Sequence, residues 1–263
     1  MKRSDNSAPV PLGAARLNQL RRLLLSWFDV SGRSFFWRRE RVSPYQVLFT
    51  EMLLSRTRAE NVEPVAQVLF ACYPDVRTLA LASLHDVEKI LFPLGLFRKR
   101  ARFVSACANA IVSEHGGQVP REFEGLETLP YVGRYAANAV MNVAFDIPRP
   151  IVDANVARVY RRVFSLPEPP ARLESAHALW RVAERVVPKR QSRRFNWALL
   201  DLGASVCGRT PKCGSCPLAR LCDYGVALRQ DSRAHLKGRP RSRGVGRERA
   251  RGRGSMHREG TRI

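Results

Sequence analysis

The chain has 263 residues, with 45 Lys/Arg against 23 Asp/Glu, for a formal net charge of +22. That length can bury the core of one or two domains, and that charge points to a polyanionic partner, nucleic acid first among them. No stretch is apolar for long enough to span a bilayer, and the first 30 residues hold no run bounded like a signal peptide. A membrane class is thereby excluded, and a soluble, cytoplasmic protein is expected.

Charge is spread over the whole chain. Residues 229–263 carry twelve Lys/Arg and three Asp/Glu, +9 of the total, which leaves the preceding part at +13. Of the 45 basic residues 39 are Arg, a bias that suits phosphate recognition by the guanidinium fork and equally suits a GC-rich genome.

Residues 1–13 are polar and Pro-containing, and are expected to fray. Helical periodicity begins near Ala14, with Leu17, Leu20, Leu24, Trp27 and Phe28 at three- and four-residue steps. A turn at Ser31–Arg33 leads to the aromatic segment Phe35-Phe36-Trp37. Ser43-Pro44 opens the next helix, with Pro44 suited to its first position. From Tyr45 to Arg56 that helix is apolar on nearly every side (Val47, Leu48, Phe49, Met52, Leu53, Leu54), so it is expected to be buried. Glu51 lies among these residues. A carboxylate there is costly unless paired, protonated or functional; capping a neighbouring helix or pairing with an Arg explains it as well as catalysis does.

Helices are predicted near 58–71, 84–91 and 98–114, with Cys72 and Cys107 as inert core residues. Gly116-Gly117 ends that stretch. The segment Leu129-Pro130-Tyr131-Val132-Gly133-Arg134-Tyr135 joins an apolar run to a small-residue helix over 134–145, forming a helix–hairpin–helix. Gly133 can take a backbone shape that bares amide N–H groups, and the following helix N-terminus favours a phosphate. Arg134 would add a side-chain contact. Read alone, this Pro-x-x-Gly turn is equally an ordinary connection.

After Pro148–Pro150, Asp153 precedes an apolar-periodic helix over 153–164, where its default role is an N-cap; facing a bound nucleotide is the alternative. Helices near 172–186 and 193–206 follow. Cys207, Cys213, Cys216 and Cys222 then fall within sixteen residues as Cys-x5-Cys-x2-Cys-x5-Cys. Four thiolates so close can share one metal centre, either a [4Fe–4S] cluster or tetrahedral zinc. Disulfides fit less well in a chain with no sign of an oxidising compartment. Lys212, Arg209 and Arg220 give this loop a phosphate-contacting or simply solvated surface. Alternating strand patterns are scarce and no repeat is apparent, so the fold class is all-α, with a disordered basic tail from about residue 229.

Together these elements resemble the helix–hairpin–helix DNA glycosylases, the superfamily of endonuclease III and the adenine mismatch glycosylase MutY. The order matches over about residues 17–225: Phe35–Trp37, Thr50-Glu51-Met52-Leu53-Leu54-x-Arg56-Thr57, Gly95-Leu96-x3-Arg100-Ala101, the LPYVGRY hairpin, Val152-Asp153-Ala154-Asn155, and Leu200–Ala204 running into the cysteines. The resemblance implies a six-helix domain over 44–148 and a [4Fe–4S] cluster domain from 14–43 and 149–228. Double-stranded DNA with a mispaired or damaged base would lie in the cleft between them, bound by a monomer. Pro130, Tyr131, Val132, Gly133 and Arg134 would grip the strand, with Ser55, Arg56 and Lys212 as further DNA contacts. Asp153 would stabilise positive charge on the sugar as the glycosidic bond breaks, and Glu51 would protonate the departing base or organise water.

Tyr135 stands where the strand-cleaving members carry a Lys and cannot form its Schiff base, so a monofunctional enzyme is implied. Tyr135 with VDAN is similar to the Mig-type thymine mismatch glycosylases acting on G·T and G·U. The MutY reading, adenine opposite 8-oxoguanine, is disfavoured by Ser55-Arg56 in place of a Gln pair and by an Arg-rich segment after Cys222 in place of a second domain. A non-catalytic DNA-binding or redox-sensing protein on this scaffold is the competing class. Two departures stand out: Tyr131 replaces the usual first hairpin Gly, which would reshape the turn or set the tyrosine to stack at the DNA surface, and the first cysteine gap is one residue short.

Overall fold

Every regular element among the described residues is helical, as the periodicity predicts. The structure is a computed structural model that describes residues 13–39, 42–170 and 173–237. In chain order the helices are α1 (Ala14–Ser31), α2 (Pro44–Leu54), α3 (Ala59–Cys72), α4 (Val76–Ala80), α5 (Leu84–Leu91), α6 (Phe97–Glu114), α7 (Phe123–Thr128), α8 (Arg134–Val143), α9 (Ala154–Phe164), α10 (His177–Val186), α11 (Ser192–Ser205) and α12 (Asp223–Lys237).

Helix α2 starts where Ser43-Pro44 placed it, through a capping box. The Gln46 amide donates to Ser43 Oγ at 3.2 Å and the Ser43 amide to Gln46 Oε1 at 3.1 Å. Leu48, Phe49 and Leu53 are wholly buried, each contributing about 1.5–3 kcal/mol of burial, which makes α2 a central helix.

Buried apolar side chains form two clusters. The first is built from α2 to α8 with Ile151, and Trp197 reaches into it. The second joins α1, α9, α10 and α11 to the cysteine loop through Leu218 and Cys222. Helix α2 packs on α8 in the first, and α11 packs on both α1 and α9 in the second. Of the two lone cysteines, Cys107 is buried and its thiol is pushed up to about 12 by burial. Cys72 is exposed instead of lying in the core, because it is the last residue of α3, where the apolar stripe has run out.

The chain divides into two units, residues 1–227 and 228–263. Helix α12 carries helical backbone to Lys237, past the boundary expected for the tail. Asp223 in its first turn and good helix formers such as Ala227, Leu228 and Arg229 account for that extension. Residues 238–263 of the expected tail, and 1–12 of the expected frayed terminus, lie outside the described residues. No helix among the described residues is long and apolar enough to cross a membrane.

Candidate active site

A cleft of about 810 Å³ lies between the two clusters, and Glu51, Tyr135 and Asp153 all line it. Helices α2, α8 and α9 each bring one of the three. Trp37, Trp180 and Trp197 supply flat walls, and Ser55, Arg56, Thr57 and Arg58 form part of the rim. The sequence-predicted catalytic residues therefore meet in one cavity with Ser55 and Arg56. The hairpin residues 130–134, Lys212 and the cysteines do not line it.

Glu51 accepts a hydrogen bond from the Tyr135 hydroxyl, while its Oε2 is inaccessible and has no partner. Burial pushes its carboxyl up to about 7; the Tyr135 bond and the Arg38 charge oppose that rise, and the Asp153 charge adds to it. Burial, with the charges of Glu51 and Asp153 behind it, drives the Tyr135 phenol well above its usual range. Tyr135 is thus a neutral donor. Near neutral pH the cleft floor carries a carboxyl that is protonated in about half the molecules, beside a phenol that keeps its own proton.

Asp153 is the N-cap of α9, its predicted default role: Oδ1 accepts from the Val156 amide at 2.7 Å and Oδ2 from Asn155 Nδ2 at 2.8 Å. A series of bonds continues from there. Arg158 Nη2 donates to Asn155 Oδ1 at 2.8 Å and to the Gly203 carbonyl at 2.9 Å, and Arg158 Nε to the Cys207 carbonyl at 2.8 Å. The cysteine loop and the Asp153 turn are tied through one guanidinium.

Gly203 sets the approach of α11 to α9, because a Cβ there would lie 2.8 Å from Asn155 Cβ and 3.1 Å from its carbonyl carbon. Gly203→Ala is expected to destabilise the fold by about 1–3 kcal/mol in urea unfolding, since the Asp153 turn must shift to admit the methyl.

An unforeseen ion cluster builds the opposite wall. Asp201, wholly buried, accepts from Arg33 Nε (2.8 Å), the Arg33 amide (2.8 Å) and both terminal nitrogens of Arg38 (2.8 and 3.0 Å). Arg38 also lies over Phe35 and Trp197, and Phe35 stacks on Trp37 with ring centroids 4.6 Å apart. A buried carboxylate without such partners would be prohibitive. Two signals in the sequence could have pointed here, an Asp201 set between Leu200 and Leu202 and the arginines bracketing Phe35–Trp37, but their pairing spans more than 160 residues.

A second surface is built on α6. Arg100 donates to the carbonyls of Gly95, Leu53 and Ser55 and to Thr57 Oγ1, so it clamps the turn before α6 to the 55–57 loop. One turn further along α6, Phe103 stacks on Tyr131 of the hairpin at 3.5 Å. Arg56, Leu96 and Tyr131 on this surface all have left-handed backbone, with φ of 58°, 50° and 65°, a conformation that costs a non-glycine residue about 1–2 kcal/mol. Leu96 is exposed despite being apolar.

The hairpin differs from expectation in three places. Gly133 is extended (φ −96°), and the left-handed residue is Tyr131. Val132 is buried in the first cluster and its amide donates to the Leu129 carbonyl, so it offers no free donor. Arg134 turns back to lie 4.2 Å over Trp180 and bonds Glu184 at 3.4 Å. What remains for an anion are the α8 N-terminal amides, which have no intrahelical partner. A Cβ on Gly133 would meet nothing within 4 Å, so packing does not require glycine there.

Cys207, Cys213, Cys216 and Cys222 line one small cavity, with Lys212 at its edge, and none is in a disulfide. The Cys216 thiol is pushed up to about 11, by burial first and also by the other three sulfurs. Arg162 donates to Cys207 Sγ at 3.3 Å, placing a positive charge against sulfur. Among the described residues no three His, Cys, Asp or Glu side chains are gathered as for a bare metal ion. The donor set of four sulfurs around one cavity, with a guanidinium to offset thiolate charge, fits an iron–sulfur cluster, which bridges ligands too far apart for a single ion.

Comparison with known proteins identifies the family. The family model described as "HhH-GPD superfamily base excision DNA repair protein" matches residues 49–185. A thymine-DNA glycosylase from Aeropyrum pernix is 33% identical over 216 residues, covering 81% of this chain and 97% of that protein. An adenine DNA glycosylase from Mycolicibacterium smegmatis is 38% identical over 198 residues, covering 74% of this chain and 66% of the longer relative. Among solved structures, that of a thermostable thymine-DNA glycosylase matches with a TM-score of 0.75 and 32% identity, over 81% of this chain and 98% of that one. The chain belongs to the HhH-GPD superfamily of base excision DNA repair proteins, alongside these DNA glycosylases.

Proposed function

We propose that the protein is a monofunctional DNA glycosylase that excises thymine or uracil mispaired with guanine. The observation that carries this reading is the meeting of Glu51, Tyr135 and Asp153 in one cleft, with a tyrosine where a strand-cleaving enzyme of the resembling family needs an amine. Similarity to a thymine-DNA glycosylase over nearly its whole length supports it.

The flipped nucleotide enters between the aromatic walls. As the bond from C1′ to the base breaks, its electron pair leaves with the base, which Glu51 protonates. The Asp153 carboxylate offsets the positive charge growing on the sugar. Water then adds to C1′ and returns a proton to the Glu51 carboxylate, so the enzyme ends as it began. Tyr135 holds Glu51 in place and, as a neutral phenol, takes no part as a nucleophile. The exposed Leu96 is suited to fill the gap in the base stack.

Adenine excision is the second reading, favoured by the 38% identity to an adenine DNA glycosylase and disfavoured by Ser55-Arg56. The functional test is incubation with a labelled G·T duplex with and without alkali: abasic sites that break only after alkali support hydrolysis without lyase chemistry, and breaks without alkali refute it.

Phosphates of the strand would sit on the α8 amides, close to Gly133. Gly133→Ala should leave the melting temperature within about 1–2 °C while weakening duplex binding several-fold, because a methyl free of protein contacts would stand between backbone and phosphate.

Cys207, Cys213, Cys216 and Cys222 would hold a [4Fe–4S] cluster, with zinc as the other candidate, and the bound group would fix the loop that Arg158 ties to Asp153. Purified protein is expected to absorb broadly in the visible and to contain iron; Cys216→Ser should lose both. Stoichiometric zinc without iron would reassign the site.

A further inference from the structure

We infer that Lys99, Phe103 and Tyr131 form a shelf against which a deoxyribose of the bound DNA strand packs, next to the phosphates at the hairpin; this rests on the DNA-glycosylase reading above. Neither ring belongs to the core. Both apolar clusters omit Phe103 and Tyr131, including their partly buried fringes. Yet the rings are stacked at 3.5 Å with planes 17° apart, and Tyr131 remains 58% exposed. Tyr131 holds this place at φ 65°, a backbone shape that glycine adopts freely and a tyrosine does not. A strained, exposed aromatic is therefore kept where the fold has no use for its ring, and such outliers mark functional surfaces.

Its neighbours name the partner. The Lys99 ammonium lies over the Phe103 ring, 5.4 Å from its centroid. Positions 96, 99, 100 and 103 share one face of α6, so the shelf lies between the exposed Leu96 turn and the hairpin amides. A nucleic-acid strand offers alternating charged phosphates and flat apolar sugar faces. An open tyrosine ring, backed by Phe103 with a cation over that second ring, matches that alternation, and does so without reading sequence or unstacking a base.

The test uses the full-length protein and a duplex carrying a tetrahydrofuran abasic analogue opposite guanine, with affinity read by fluorescence anisotropy and stability by thermal unfolding. Tyr131→Phe should bind within about twofold of the parent. Tyr131→Asn keeps a residue tolerant of left-handed backbone but removes the ring; it should bind about 5- to 10-fold more weakly with its melting temperature unchanged or raised. Lys99→Gln should lower the salt slope of binding by about one. Equal binding by Tyr131→Asn would overturn the shelf, as would a loss of affinity that only accompanies a fall of several degrees in melting temperature. A parent protein that binds this duplex and releases base from a G·T duplex, while Tyr131→Asn binds equally well, would sink this inference alone. A parent that binds no duplex would sink it together with the glycosylase reading.

Discussion

Asp153→Asn is expected to lower single-turnover base release about a thousand-fold while leaving duplex binding within a few-fold of the parent. The oxygen that caps α9 survives in Asn, so the bond from the Val156 amide can persist and the loss of stability should be small. What disappears is the negative charge facing the sugar. Removing one preorganised electrostatic contact typically costs 10²–10³ in rate, and here a full charge is lost. Comparing base release with anisotropy on the same duplex separates the two effects. Base release at the parent rate would remove Asp153 from the chemistry.

Glu51→Gln should trade activity for stability. Native Glu51 holds its proton up to about pH 7, against an ordinary value of 4.5. Between those values the native state binds more protons than the unfolded chain, so stability falls as pH rises through the window, and the deficit is complete above pH 7. Gln has no charge to bury. The variant should therefore match the parent below pH 4.5 and exceed it in urea unfolding by up to about 3 kcal/mol at pH 8. Base release should fall about 10²- to 10⁴-fold. The parent's rate should decline as pH rises past about 7, where Glu51 loses the proton it must donate, and the residual rate of the variant should lack that limb. A parent profile flat from pH 6 to 9 would contradict the general-acid role.

The sequence made some parts of this site legible because they are local. A helix apolar on every side, opened by Ser43-Pro44, is buried wherever the rest of the chain goes, and Glu51 within it had to be unusual. Asp153 was legible as a cap because capping depends on residues three apart. Arg33 and Arg38 on Asp201 were not legible, since a pairing across more than 160 residues follows from the fold. Nor was the Arg100 clamp, or the stacking of Phe103 on Tyr131: each joins segments that meet only once α2, α6 and α8 have packed. The helices Val76–Ala80 and Phe123–Thr128 went unread because five or six residues are too few to display a period. Arg134 was expected to reach outward. The ring of Trp180 and the carboxylate of Glu184 draw it back, and neither partner is near it in sequence.

Pocket chemistry is the centre of the account, and single-turnover base release on matched duplexes carrying G·T, G·U, A·8-oxoguanine and A·G tests it most directly. Release of thymine or uracil opposite guanine, with adenine untouched, is the predicted result. Release of adenine with thymine and uracil left in place would contradict it.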